Sequence, residues 1–211
     1  MLTAIRKNGL ILAVFACAST GVVATTHYLT QNRIEQQEQK QLLSILDQVI
    51  PPQAHDNVLS DACTIVNIPY LTGQPTLHAY VASQNNTPTG LAIETIAPDG
   101  YNGAIKLIVG IDNEGVITGT RVLSHQETPG LGDRIDLRIT DWILAFTGKK
   151  VTAENESQWK VRKDGGQFDQ FTGATITPRA VVKAVKRITQ FVDQNREQLY
   201  RQPYNCNGDQ S

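Results

Sequence analysis

Three hydrophobic patterns succeed one another along this chain. Residues 9–29 contain no Asp, Glu, Lys or Arg, a run long enough to cross a hydrocarbon core, which takes about 20 helical residues. From Gln31 to Gln41 the chain is rich in Gln and Glu. Leu42, Leu43, Ile45, Leu46, Val49 and Ile50 then recur at helical spacing before Pro51-Pro52. An amphipathic helix is therefore predicted to continue the apolar one and to stop at the prolines. Beyond it the pattern becomes that of strands. Residues 76–83, 90–96, 104–111 and 116–123 are rich in β-branched side chains and flanked by turn residues. Asp112-Asn113-Glu114-Gly115 predicts a tight turn between the last two, and residues 85–90 a loop. Residues 133–146 read as a helix ending at Gly148, and residues 159–163 as a short strand before Gly165-Gly166. Residues 178–199 form the last helix, with Val181, Val185, Ile188 and Val192 on one face. Strands first and helices later predict an α+β domain with an antiparallel-rich sheet and flanking helices.

Charge orients this arrangement. Arg6 and Lys7 precede the apolar run and only Arg33 follows closely, so the positive-inside tendency puts the N-terminus in the cytoplasm and the domain across the membrane. A cleaved signal peptide would have an apolar core of roughly 7–15 residues, whereas Gly21-Val22-Val23-Ala24 prolongs this one. A lipoprotein would use Cys17, but Phe15 fits poorly two residues before it. The expected organisation is a cytoplasmic N-terminus (1–8), a single transmembrane anchor (9–29), an amphipathic stalk (30–50) and an exported domain (51–211). The formal net charge is −1 and the Lys and Arg residues are scattered, which argues against a nucleic-acid partner. Cys63 and Cys206 are the two cysteines of the exported part; a disulfide and two free thiols are both open. No CxxC and no His/Cys cluster points to a metal site.

Candidate chemistry lies in two motifs. Asp169-Gln170-Phe171-Thr172-Gly173-Ala174-Thr175 runs into Ile176-Thr177-Pro178 and the last helix. Thr177 suits the N-cap and Pro178 the first helical position, where its missing N–H costs nothing. The helix start then faces the loop holding Thr172 and Thr175, a natural resting place for a phosphate. Taken alone, these threonines read first as helix caps. The second motif, His125-Gln126-Glu127-Thr128-Pro129-Gly130-Leu131-Gly132, has the proline and glycines of a sharp turn that can approach a flat ring closely.

Together, in this order and behind an anchor, the motifs resemble the FMN-binding domain shared by the G subunit of Rnf-type electron transport complexes and the C subunit of sodium-pumping NADH:quinone oxidoreductases. The resemblance covers nearly the whole chain. It implies covalent FMN, joined by a phosphoester to Thr175 and installed by a separate magnesium-dependent flavin transferase, with small Gly173 and Ala174 admitting the nucleotide and Thr177 beside it. Asp169 matches the acidic start of the modification motif, although a turn-forming Asp explains it as well. Glu127, Thr128 and Leu131 would line the flavin. Tyr101 falls roughly at an aromatic position near it, where a stacked ring and a half-buried strand-entry side chain are both open. The chain is short for the quinone reductase subunit, and its Cys63 and Cys206 resemble proteobacterial G subunits. The implied role is an inner-membrane electron relay with a periplasmic domain, lacking catalytic residues of its own. It would sit among other membrane subunits that couple ferredoxin:NAD oxidoreduction to ion transport. An unmodified assembly subunit and an FMN domain of another periplasmic reductase are the rivals.

Overall fold

A computed structural model describes residues 2–68 and 76–206. The chain forms two compact units, Met1–Leu42 and Leu43–Ser211. Helix α1 runs Leu2–Val49, and its Arg6–Gln31 stretch is long and apolar enough to cross a membrane. The last two turns of α1, from Leu43, belong to the second unit.

That unit is α+β. Strands β1 (Cys63–Val66), β2 (Leu77–Gln84), β3 (Thr87–Gly100), β4 (Gly103–Asp112) and β5 (Ile117–Ser124) form one antiparallel sheet in chain order. Asn85 and Asn86, both at positive φ (51° and 59°), make the two-residue hairpin between β2 and β3, a turn whose twist matches that of the strands. Because side chains alternate across a strand, Leu91, Ile93 and Ala97 share one face with their partners Ile111, Val109 and Ile105. Helix α2 (Ile176–Arg201) covers that face with Val181, Val185, Ile188 and Val192, all buried in the same core. The opposite face receives the end of α1: Leu46, Val49 and Ile50 are buried, and Thr118 Oγ1 donates to the Val49 carbonyl at 2.5 Å.

On that second face Glu94 is buried, 4% exposed, with His78 Nδ1 at 2.9 Å and Lys106 Nζ at 3.0 Å. Burial alone would raise its pKa, but the His78 hydrogen bond and the Lys106 charge outweigh it and hold the carboxyl below its usual range. A depressed folded value gives stability that is present above the unfolded pKa, about 4.3 for Glu, and lost as pH falls through the folded one. Lys106→Met is expected to cost about 1–3 kcal/mol and to shift the acid unfolding transition to higher pH. Urea unfolding measured from about pH 3 to 7 checks this; an unmoved transition rejects it.

The structure departs from the expected elements in several places. Residues 133–146 are not an α-helix but two short 3-10 turns, Gly132–Ile135 and Asp141–Phe146. The Asp136 carboxylate accepts from the Arg138 N–H and the Thr140 hydroxyl donates to the Arg134 carbonyl, so side chains replace the i→i−4 ladder. Thr140 then caps the second turn through the Trp142 N–H. Residues 159–163 are not a strand; a single bridge pairs Val161 with Phe168, followed by the 3-10 turn Arg162–Asp164. Strand β1, unforeseen, is four residues long and exists by pairing with β2. Helix α2 begins at Ile176, with Thr175 and not Thr177 at the cap position.

Candidate functional site

Three segments meet beside the start of α2. The first is the turn between β3 and β4, carrying Tyr101 and Asn102. The second is the loop after β5, residues 125–132. Residues 171–175, where a bridge between Phe171 and Ala174 closes a tight loop, are the third. Gly173 at φ +82° makes that loop possible, since the left-handed region is costly for other residues. A Cβ built there would touch Leu131 Cδ2 at 3.7 Å, so the two motifs lie against each other.

Between them is a cleft of about 270 Å³, near the lower edge of the ~300–1,000 Å³ typical of ligand pockets. Tyr101, Glu127, Thr128 and Leu131 line one side; Gly173, Ala174, Thr175 and Thr177 line the other. Gly132 and Ile176 complete the lining and were not singled out from sequence. Ile176 could have been, as an exposed apolar residue in a polar loop. Thr172 is exposed and is not among the lining residues, and neither is Asp169. Asp169 pairs instead with Arg162 at 3.0 Å in solvent, while its carbonyl accepts from Trp142 Nε1 at 2.8 Å. Tyr101 is neither strand-buried nor half-buried: it is 68% exposed at the cleft mouth. Leu131, 43% exposed, and Ile176, 46% exposed, share that mouth.

Thr175 lines the cleft and is partly exposed. Its backbone is helical (φ −78°, ψ −25°) and its side chain makes no cap hydrogen bond, so the oxygen is not folded back onto the helix. The first turn of α2 carries no acidic residue, leaving its N–H groups and positive dipole end for an anion. The Arg179 guanidinium is engaged elsewhere, in a two-pronged bond to Asp164 at 2.6 Å on each oxygen. That pairing holds the Asp164 carboxyl below its usual range. Thr177, by contrast, is fully buried and donates its hydroxyl to Glu127 Oε2 at 2.5 Å.

His125 opens the loop after β5 and is largely covered, its side chain 16% exposed. Its Nδ1 accepts from the Glu127 N–H at 3.1 Å, and Nε2 lies 3.9 Å from Asp136. Asp136 is held below the usual carboxylate range by the hydrogen bond from Arg138. Lys163 is exposed and is not among the cleft's lining residues. At the β1 edge of the sheet, Cys63 and Cys206 are joined by a disulfide with Cα atoms 5.5 Å apart.

A small cleft of apolar rim, buried carboxylate and helix N-terminus, bounded by two glycine-bearing loops, has the make-up of a ligand-binding module. Comparison with known proteins gives that module its class: residues 100–190 match the FMN-binding domain family, and residues 1–49 match the RnfG N-terminal region. The chain is 65% identical over 209 residues to the G subunit of the ion-translocating oxidoreductase complex of Vibrio parahaemolyticus, covering 99% of each chain. It is 66% identical over 208 residues to the protein of the same name from Vibrio cholerae, covering 99% of this chain and 100% of the relative. A counterpart from Aliivibrio fischeri is 56% identical over 207 residues, 98% of this chain and 99% of the relative. The chain belongs to the family of G subunits of ion-translocating oxidoreductase complexes.

Proposed function

We propose that this protein is a single-pass inner-membrane flavoprotein that relays electrons through an FMN esterified to Thr175. It works within an Rnf-type complex that couples ferredoxin:NAD oxidoreduction to ion transport. The N-terminus (1–8) is cytoplasmic, residues 9–29 span the membrane, residues 30–50 form the stalk and residues 51–211 the periplasmic FMN domain. Arg6 and Lys7 ahead of the apolar run support this orientation.

One observation carries the reading. Thr175 sits at the cap position of a 26-residue helix without using its hydroxyl as a cap, and it faces the cleft formed by the other motif. The residues present fit the group. Gly173 and Ala174 leave room around the oxygen, and the first turn of α2 stabilises a phosphodiester. Leu131 and Tyr101 cover a ring and exclude water, and Thr128 can hydrogen-bond its edge. A bound flavin supplies one- and two-electron transfer; the protein holds and shields it. Attachment needs a flavin transferase, for which Asp169, exposed beside the loop, is a recognition element.

Expression of the full chain with its transferase is expected to give a flavin-fluorescent band that survives denaturation. Peptide mass mapping should place one FMN at Thr175, and Thr175→Ala should abolish the band while the domain stays folded. A colourless wild-type chain, or fluorescence persisting in Thr175→Ala, rejects the reading.

A further inference from the structure

Glu127 is 5% exposed, and both of its oxygens are engaged within the protein. Thr177 Oγ1 donates to Oε2 at 2.5 Å and the Asn102 N–H donates to Oε1 at 3.2 Å. Space for this carboxylate is kept by two glycines. A Cβ on Gly132 would stand 2.6 Å from Oε2, and one on Gly100 would stand 2.9 Å from Oε1. Asn102 adds a second tie to the same loop, its Nδ2 donating to the Gln126 carbonyl at 2.6 Å. One side chain thus joins the β3–β4 turn, the 125–132 loop and the first turn of α2.

From this geometry we infer that Glu127 is a positioning residue, a brace that sets the Thr175 hydroxyl for esterification and withholds the Thr177 hydroxyl, in place of binding the flavin edge. The inference rests on Thr175 being the attachment point. Thr177 is the second residue of α2, so fixing its hydroxyl fixes the turn from which Thr175 projects. Hydrogen bonds to a carboxylate are about twice as strong as neutral ones, and this one is shielded from water. Among Thr172, Thr175 and Thr177, the first is exposed outside the cleft and the last is buried and bonded, which leaves Thr175 as the hydroxyl presented.

The attachment step itself is a phosphoryl transfer from a flavin dinucleotide. The Thr175 Oγ attacks the flavin-side phosphorus, the phosphoanhydride P–O bond breaks, and the nucleoside monophosphate leaves. The hydroxyl proton passes to the transferase or to water, and no electrons are exchanged. Glu127, both of whose oxygens are already engaged, governs where Oγ stands when attack occurs, a factor to which rates are steeply sensitive.

The test uses the full-length chain in detergent, made without transferase and then incubated with transferase, Mg²⁺ and FAD. Attachment is followed by intact mass and in-gel fluorescence, and folding by far-UV circular dichroism. Thr177→Val, which keeps the shape and removes the hydroxyl, and Glu127→Gln are each expected to slow attachment about tenfold, as loss of one charge-assisted bond implies. Thr177→Ser should restore it. The double variant should be no slower than the slower single, because both changes remove one interaction. Wild-type rates in both single variants overturn the brace. So does failure of Thr177→Ser to rescue, or slowing that merely follows loss of the folded signal. A wild-type chain that takes no flavin at Thr175 overturns the attachment reading itself, a different result from a loaded wild type with unaffected variants.

Discussion

Gly110→Ala is expected to destabilise the domain by about 2–4 kcal/mol, combining overpacking with a lost hydrogen bond. Gly110 and Gly119 pair across β4 and β5 directly under the last turn of α1. A Cβ at 110 would collide with the Val49 carbonyl oxygen and stand 2.5 Å from Thr118 Oγ1; one at 119 would stand 2.8 Å from the Val49 Cα. The obstruction at 110 includes backbone at a helix end, so no side-chain rotation relieves it. Either the helix end lifts, exposing Leu46 and Val49, both 0% exposed, or the sheet bends. Lifting also breaks the bond from Thr118 to Val49 and the one from Arg121 Nε to Gln48 Oε1, at 2.9 Å. Thr118→Val separates the effects: it removes only the hydroxyl bond and should cost about 1 kcal/mol. Equilibrium unfolding of the three proteins, with limited proteolysis around residues 43–55, measures both. If Gly110→Ala stays within about 0.5 kcal/mol of wild type, the size of an ordinary surface change, the close packing of the helix end on the sheet is wrong.

How far such features can be read before folding depends on which interactions decide them. Val181, Val185, Ile188 and Val192 announce the buried face of α2 because helical period and burial agree over many residues. β2, β4 and β5 are legible for the same reason at period two. Residues 133–146 are misread because Asp136 and Thr140 spend their side chains on backbone groups two and six residues away. Only the folded geometry decides between that use and a helix. β1 escapes detection because four residues carry no period; pairing and the disulfide make them a strand. Within the site, the two loops are visible as motifs, yet their facing is not. Thr172 and Asp169 share a motif with Thr175 but point elsewhere, and Asn102, which carries no signature of its own, turns out to hold Glu127. The cap position moves from Thr177 to Thr175 because Glu127, fifty residues away in sequence, claims the Thr177 hydroxyl.

Removing the Cys63–Cys206 bridge, by reduction or by the paired Cys63→Ser and Cys206→Ser changes, is expected to have the largest effect on stability. The cysteines are 143 residues apart in sequence, and cross-linking a loop of that size is worth about 5 kcal/mol in the chain-entropy account, with about 2–4 typical in practice. Local contacts add to the loss. The tail lies along β1, where Asn205 N–H donates to the Cys63 carbonyl at 3.0 Å and Ile65 N–H to Asn205 Oδ1 at 2.8 Å. Gln202 Oε1 accepts from Thr64 Oγ1 at 3.2 Å. Without the bridge these few bonds alone keep the tail on an edge strand that would otherwise offer unpaired backbone to other chains. Urea unfolding with and without reductant should show a fall of at least about 2 kcal/mol, matched by the double serine variant. The effect is expected to be confined to stability. The bridge lies near the end of α2 at Arg201, whereas Thr175 stands at its beginning, where the first turn is tied through Thr177 to Glu127 on the loop after β5. Flavin attachment at low temperature should therefore proceed at the same rate in the oxidised and reduced protein. A stability change under about 1 kcal/mol, below the lower end of the usual disulfide contribution, would show that the bridge adds little to the fold and that the tail's hydrogen bonds suffice to hold it.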